Sequence, residues 1–194
     1  MLLQNYIQMK KRSFILSILA ILGISAYAIN YPGKAPGAAI LTIKPATISL
    51  QNTVLKQTWT VTANKISPAA LADIQGKTSI DLSDAELFYV IVDGKLLKSS
   101  ELTLLKAPVE YKMMPGKDPG HQPQRPGGKA VRAVFASKNG DLTVQWTAIL
   151  RDGSNYIQQQ LVFSTTQPGL NVSEYYFDLH TPGKASAATL DGSP

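Results

Sequence analysis

Along most of the chain, apolar and polar residues alternate with a period of two. Leu55, Gln57, Trp59 and Val61 stand on one side of a run whose other side is Lys56, Thr58, Thr60 and Thr62. Alternation of this kind, rich in β-branched residues, predicts a half-buried strand. Leu142, Val144, Trp146, Ala148 and Leu150 alternate in the same way with Thr143, Gln145 and Thr147. Ile157, Leu161 and Phe163 share one face of the next strand, with Gln158 and Gln160 on the other. Val131–Lys138 and Val172–Leu179 are further strands. Leu87–Val92 is apolar throughout, as expected of a strand covered on both faces. Asp93-Gly94, Asn139-Gly140 and Asp152-Gly153 punctuate these runs. Such pairs signal hairpins, because a type I′ turn needs positive φ at both central residues. Roughly ten to twelve short strands with turns of this type predict an all-β protein, an antiparallel β-sandwich. The sole helix candidate, Pro68–Ile74, reads as a turn.

Two stretches break the pattern. Residues 115–128 hold four prolines and four glycines. They predict an exposed loop between two β-meanders. The loop carries His121 and Arg125, so ligand contact is the alternative reading. At the amino terminus, Lys10-Lys11-Arg12 precedes Phe14–Ala28, which has no charge and ends in Ala26-Tyr27-Ala28. A charged start, a short apolar run and a small-x-small site describe a signal peptide over 1–28. Met9 is an alternative start. The apolar run falls short of the roughly 20 residues of a membrane span. Asn30 and Pro32 follow at once, so no stable membrane anchor is expected. The organisation is then a signal peptide (1–28), a Pro/Gly-rich lead with a first strand (29–46) and a sandwich domain (47–194), exported to the periplasm or outside the cell.

Composition narrows the chemistry. The apolar fraction is 44% and the charged fraction 16%, which excludes a disordered chain. The formal charge of +6 is partly a property of the signal, since 16 basic and 13 acidic residues remain without 1–28. No Lys/Arg stripe with interleaved aromatics is present, so no nucleic-acid partner is expected. The absence of cysteine excludes a disulfide framework, a thiolate metal site and a Cys nucleophile. No G-x-S-x-G nucleophile turn occurs. Asp93, Asp141 and Asp152 sit in or beside turns, where aspartate serves the backbone. Asp81, Asp84 and Glu86 read as a solvated approach to an apolar strand, with a calcium site as the alternative. No cofactor, metal or catalytic residue is assigned. Trp59 and Trp146 lie on apolar faces and are expected in the core. Tyr156, Tyr175 and Tyr176 remain as rings that can stack on sugars.

Three segments bear on family. Ile48-Ser49-Leu50-Gln51-Asn52 with Leu55–Trp59 is the first. Glu86-Leu87-Phe88 through Val92-Asp93-Gly94 is the second. Gln145–Ile157, with Arg151-Asp152-Gly153-Ser154-Asn155-Tyr156 inside it, is the third and most specific. In this order they resemble the N-terminal β-sandwich of exported, Bacteroidetes-type α-galactosidase-like glycoside hydrolases. Gln57 stands where arginine is common in that family. Leu190-Asp191-Gly192-Ser193-Pro194 resembles the segment after which such chains continue into a (β/α)8 barrel holding two catalytic aspartates. The resemblance spans 47–194. It implies a galactose-mutarotase-like supersandwich, truncated before the barrel. The implied role is a non-catalytic module that packs on a catalytic barrel of the same or a neighbouring chain and shapes its cleft. Carbohydrate and that barrel are the implied partners. Tyr175, Tyr176, Phe177 and Tyr156 are the expected carbohydrate or barrel contacts. The alternative is a free-standing carbohydrate-binding protein of the bacterial cell envelope, which an exposed Trp59 or Trp146 favours. A small exported enzyme, with two carboxylates facing across a cleft, is a third reading.

Overall fold

The computed structural model describes residues 33–114 and 126–177. The expected signal peptide, His121, Arg125 and the segment after Phe177 lie outside the described residues. Within them, the strands are β1 (Ile40–Lys44), β2 (Thr47–Gln51), β3 (Leu55–Thr62), β4 (Lys65–Asp73), β5 (Thr78–Asp81), β6 (Tyr89–Val92), β7 (Lys95–Lys98), β8 (Thr103–Met113), β9 (Gly128–Ala136), β10 (Leu142–Arg151), β11 (Gln158–Thr165) and β12 (Val172–Tyr176). A single 3-10 turn, Ser99–Glu101, is the only helical element among the described residues. No helix there is long and apolar enough to cross a membrane.

The protein is all-β and sandwich-like. All strand pairs in its three sheets are antiparallel. The first sheet is a meander, β1-β2-β3-β4-β5; the second runs β11-β10-β9-β8; the third is β12-β6-β7. The alternation seen in the sequence builds the core. Ile48, Leu50 and Trp59 from the first sheet join Val131, Phe135, Val144, Trp146 and Leu150 from the second in one buried cluster. Trp59 meets Trp146 edge to face, with ring centroids 5.4 Å apart, and Phe88 meets Phe135 likewise at 5.7 Å. Ala133 stands opposite Trp146 across the ladder, and this small residue leaves room for the indole. Asp93 and Gly94 take φ of 48° and 74° and close β6 on β7 as the two-residue turn expected. In the other two pairs only the glycine has positive φ, so those turns are longer.

Three expectations are corrected. Pro68–Ile74 is not a turn: Lys65–Asp73 is a nine-residue central strand. A bulge admits the proline. Thr58 faces Ala70 while Trp59 faces Pro68, so Ala69 has no partner on β3. The ladder is interrupted where Pro68 has no N–H to give. The 115–128 loop is shorter than expected, because Gly128 already belongs to β9. A Cβ on Gly128 would lie 2.3 Å from the Leu150 carbonyl oxygen, so the approach of β10 requires glycine there. The apolar run Leu87–Val92 is not one strand covered on both faces. Pairing begins at Tyr89, and Tyr89 and Ile91 are only half-buried. Leu87 and Phe88 enter the core from irregular backbone, held by Leu87 N–H donating to Ser99 Oγ (3.0 Å) and Ser99 N–H to the Phe88 carbonyl (3.0 Å).

Candidate functional site: a groove beside the sealed core

The inner face of the first sheet does not end at Trp59. Leu55 and Gln57 continue it along β3. Gln57 pairs with Leu71 and Leu55 with Asp73 on β4. Leu71 pairs with Ile80 and Asp73 with Thr78 on β5. Directly paired residues share a face, so these six side chains form one wall. No residue of β5 is buried, and Ile80 is 51% exposed. A groove of about 510 Å³ opens along this wall, closed on its far side by Asn155, Tyr156, Ile157 and Gln159.

The groove is mainly apolar, with a few polar groups at chosen places. Leu55, Leu71, Ile80 and Ile157 supply the apolar surface. Gln57 is only 5% exposed as a residue, and it lines the groove without its amide being among the buried polar atoms that lack a partner. Gln159 Oε1 accepts a hydrogen bond from Trp146 Nε1 (2.8 Å), which leaves the Gln159 NH₂ for the groove. Asp73 Oδ1 accepts from the Gly76 N–H (2.9 Å). Among the described residues Asp73 is the sole carboxylate lining the groove. Tyr156 stands at the rim, 63% exposed.

The rim is built by two of the sequence segments singled out above. Asn52 Oδ1 accepts from the N–H groups of Val54 (3.0 Å) and Leu55 (3.1 Å), which shapes the turn into β3. Its Nδ2 donates to the Ser154 carbonyl at 2.6 Å. Asp152 Oδ1 accepts from the Ala39 N–H (2.8 Å), and Gly153 N–H donates to the Gly37 carbonyl (2.7 Å). The turn carrying Asn155 and Tyr156 is therefore held from both sides. Asp152 acts on the backbone, as its place in a turn implied.

The other candidate residues fall elsewhere. Tyr175 and Tyr176 are adjacent on β12 and so project to opposite faces. Tyr176 stacks on Tyr89 at 4.9 Å, while Tyr175 packs against Phe163 and Phe177. Tyr175 is 54% and Tyr176 44% exposed, whereas Phe177 is half-buried against the core. Among the described residues no ring contact joins Tyr156 to any of them. Trp59 and Trp146 are fully buried, so neither forms an exposed platform. Asp93 Oδ1 accepts from the Asn171 N–H (3.0 Å), and Asp141 takes the Ser137 hydroxyl. Glu86 is held by Ser99 Oγ (2.7 Å) and Ser100 Oγ (2.6 Å). Asp81 Oδ1 accepts from the Ser83 N–H (2.9 Å), and this bond together with the Ser83 hydroxyl lowers the Asp81 pKa. With these separate duties, Asp81, Asp84 and Glu86 form no cation-holding group among the described residues.

Sequence reasoning named Tyr156 but missed Gln57, Gln159 and Asp73 as groove residues. A signal existed for one of them: Gln57 is a polar residue on the apolar side of an alternating strand. Comparison with protein-family models, with curated proteins and with solved structures finds no match to this chain.

Proposed function

We propose that the chain acts as a non-catalytic, carbohydrate-binding β-sandwich module of an exported glycoside hydrolase. The observation that carries this reading is the groove. It combines an exposed ring (Tyr156), two amides (Gln57 and Gln159) and an apolar wall. Sugars present apolar C–H faces and a perimeter of hydroxyls that both donate and accept, and this lining complements both. Hydrolysis in either stereochemical mode uses two facing carboxylates; among the described residues the groove lining carries one, Asp73. The resemblance of the segments around Asn52 and Ser154 to the hydrolase sandwich supports the assignment, since their contact positions the groove rim.

A second role, docking on a catalytic barrel, draws support from Tyr175 and Tyr176, exposed rings well placed in sequence to meet a following domain. Binding is the part open to direct test. Trp146 touches the groove through Gln159, so its emission reports on occupancy. Titration of the full chain with oligomers of glucose, galactose and N-acetylglucosamine is expected to give a saturable change with at least one of them. That change should vanish in Tyr156→Ala with the fold retained by circular dichroism. A flat response to all three oligomers, with calorimetry equally silent, overturns the proposal.

A further inference from the structure

We infer that the outer face of the second sheet, turned away from the core, binds acidic glycans and holds a uronate carboxylate at Arg132. This site goes beyond the groove and shares no residue with its lining. Directly paired residues share a face, so Val109, Arg132, Thr147 and Gln160 form one row across β8, β9, β10 and β11. Arg132 is the exceptional member of the row. Its guanidinium stands over the Tyr111 ring, 4.6 Å from the centroid, and its Nε is buried without a hydrogen-bond partner. A cation drawn partly out of water and left short of an acceptor is costly. The Nη groups are not shut off in this way, so an anion that meets them offsets part of that cost.

The sheet itself supplies no such anion. Among the described residues its four strands hold a single carboxylate, Glu110. Glu110 pairs across with Val131, on the opposite face, and takes Lys129. Lys106, opposite Val134, adds a second cation one row along from Arg132. A face with two cations and no carboxylate favours a ligand bearing several negative charges. The planar guanidinium, held by the ring beneath it, matches a carboxylate with parallel N–H groups. The neutral groups around it favour a glycan. Thr147 and Gln160 in the same row, with Gln145 and Gln158 in the rows beside it, both donate and accept, as ring hydroxyls require. An extended acidic peptide pairs its backbone along a strand edge, which the middle of a sheet face does not offer. In the groove, Asp73 disfavours the same anionic ligand.

Calorimetric titration of the full chain with the hexamers of galacturonate and mannuronate tests this, beside the fully methyl-esterified galacturonate hexamer and hexaglutamate. At least one uronate hexamer is expected to bind about 10-fold more tightly than the uncharged ester at low salt. That preference should shrink at about 0.5 M salt, where screening is strong. Arg132→Gln should erase it with the fold retained by circular dichroism. Arg132→Lys should lose most of it, since an ammonium keeps the charge but not the fork. No uronate binding, or affinity no better than that of the ester, overturns the inference and leaves the groove reading standing. A preference that survives Arg132→Gln overturns it as well. Uronate binding that disappears in Tyr156→Ala lies in the groove and has the same consequence. Hexaglutamate binding as tightly as the uronates makes the face a site for acidic peptides instead, and the glycan assignment falls.

Discussion

Between β2–β3 and β4–β5 the inner face of the first sheet passes from a sealed contact to an open wall. Trp59 and Ile48 are fully buried against the second sheet, whereas Ile80 on the same inner face is 51% exposed. The residue types are similar, and so is the backbone. The difference lies in what stands opposite. The second sheet ends at its edge strand β11, and among the described residues the groove wall on β4 and β5 faces only Gln159 of that strand and the turn residues Asn155, Tyr156 and Ile157. A period of two reveals which side of a strand faces inward. It does not reveal whether another layer is there to meet it. Gln57 marks the passage from one regime to the other, two residues along β3 from Trp59.

The largest expected effect separates the two regions most plainly. Trp146→Ala should cost about 3–5 kcal/mol in denaturant unfolding. Ile80→Ala should cost roughly 0.5 kcal/mol or less. Equal costs would show that β5 is covered after all and dissolve the comparison. Gly128→Ala should cost about 1–3 kcal/mol, because its new methyl meets the Leu150 carbonyl oxygen at 2.3 Å. A neutral result in the same assay would mean that β9 and β10 separate easily there.

The sealed region also holds an asymmetry. Trp146 Nε1 has Gln159 as its partner, while Trp59 Nε1 is buried without one. Trp59→Phe removes an orphaned donor, whereas Trp146→Phe breaks a bond. The first should therefore be the milder by about 1 kcal/mol, and the reverse order in paired unfolding curves would refute the asymmetry. At the boundary, Gln57→Leu should change stability by no more than roughly 0.5 kcal/mol, because its amide opens on the groove, and a larger loss would mean the amide has a partner within the fold. The smallest effect concerns Asp81. Its folded pKa is lowered, so its contribution is present above the ordinary carboxylate range and fades as pH falls through the lowered value. Stabilities of the wild type and Asp81→Asn should converge at the acid end of a pH series, and a gap that widens there would reverse the sign.

Most strands were legible because their side chains alternate, as around Trp59 and Trp146. The failures have local causes. Pro68 and the alanines beside it lack β propensity, and the bulge that seats the proline belongs to the β3–β4 pairing rather than to either strand. Gly128 looked like the end of a flexible run, since a close approach by β10 leaves no mark in the sequence nearby. The division into three sheets was equally hidden, because Leu87 and Phe88 read as strand while serving as core. For the groove, Tyr156 was legible as an aromatic, whereas Gln57 was passed over although it is a polar residue on the apolar side of its strand. Their meeting depends on Asn52 and Ser154, 102 residues apart in sequence.

That separation has a kinetic side. The bonds that hold the rim join Asn52 to Ser154 and Ala39 to Asp152, pairs 102 and 113 residues apart. Contacts of such span carry a large loop-closure cost and form late. The five-strand meander needs only neighbours to zip together, so during synthesis it can be in place well before Ser154 emerges. The groove therefore comes into being at the end of folding, and a nascent chain arrested before β10 would carry the wall of the site without its opposite bank.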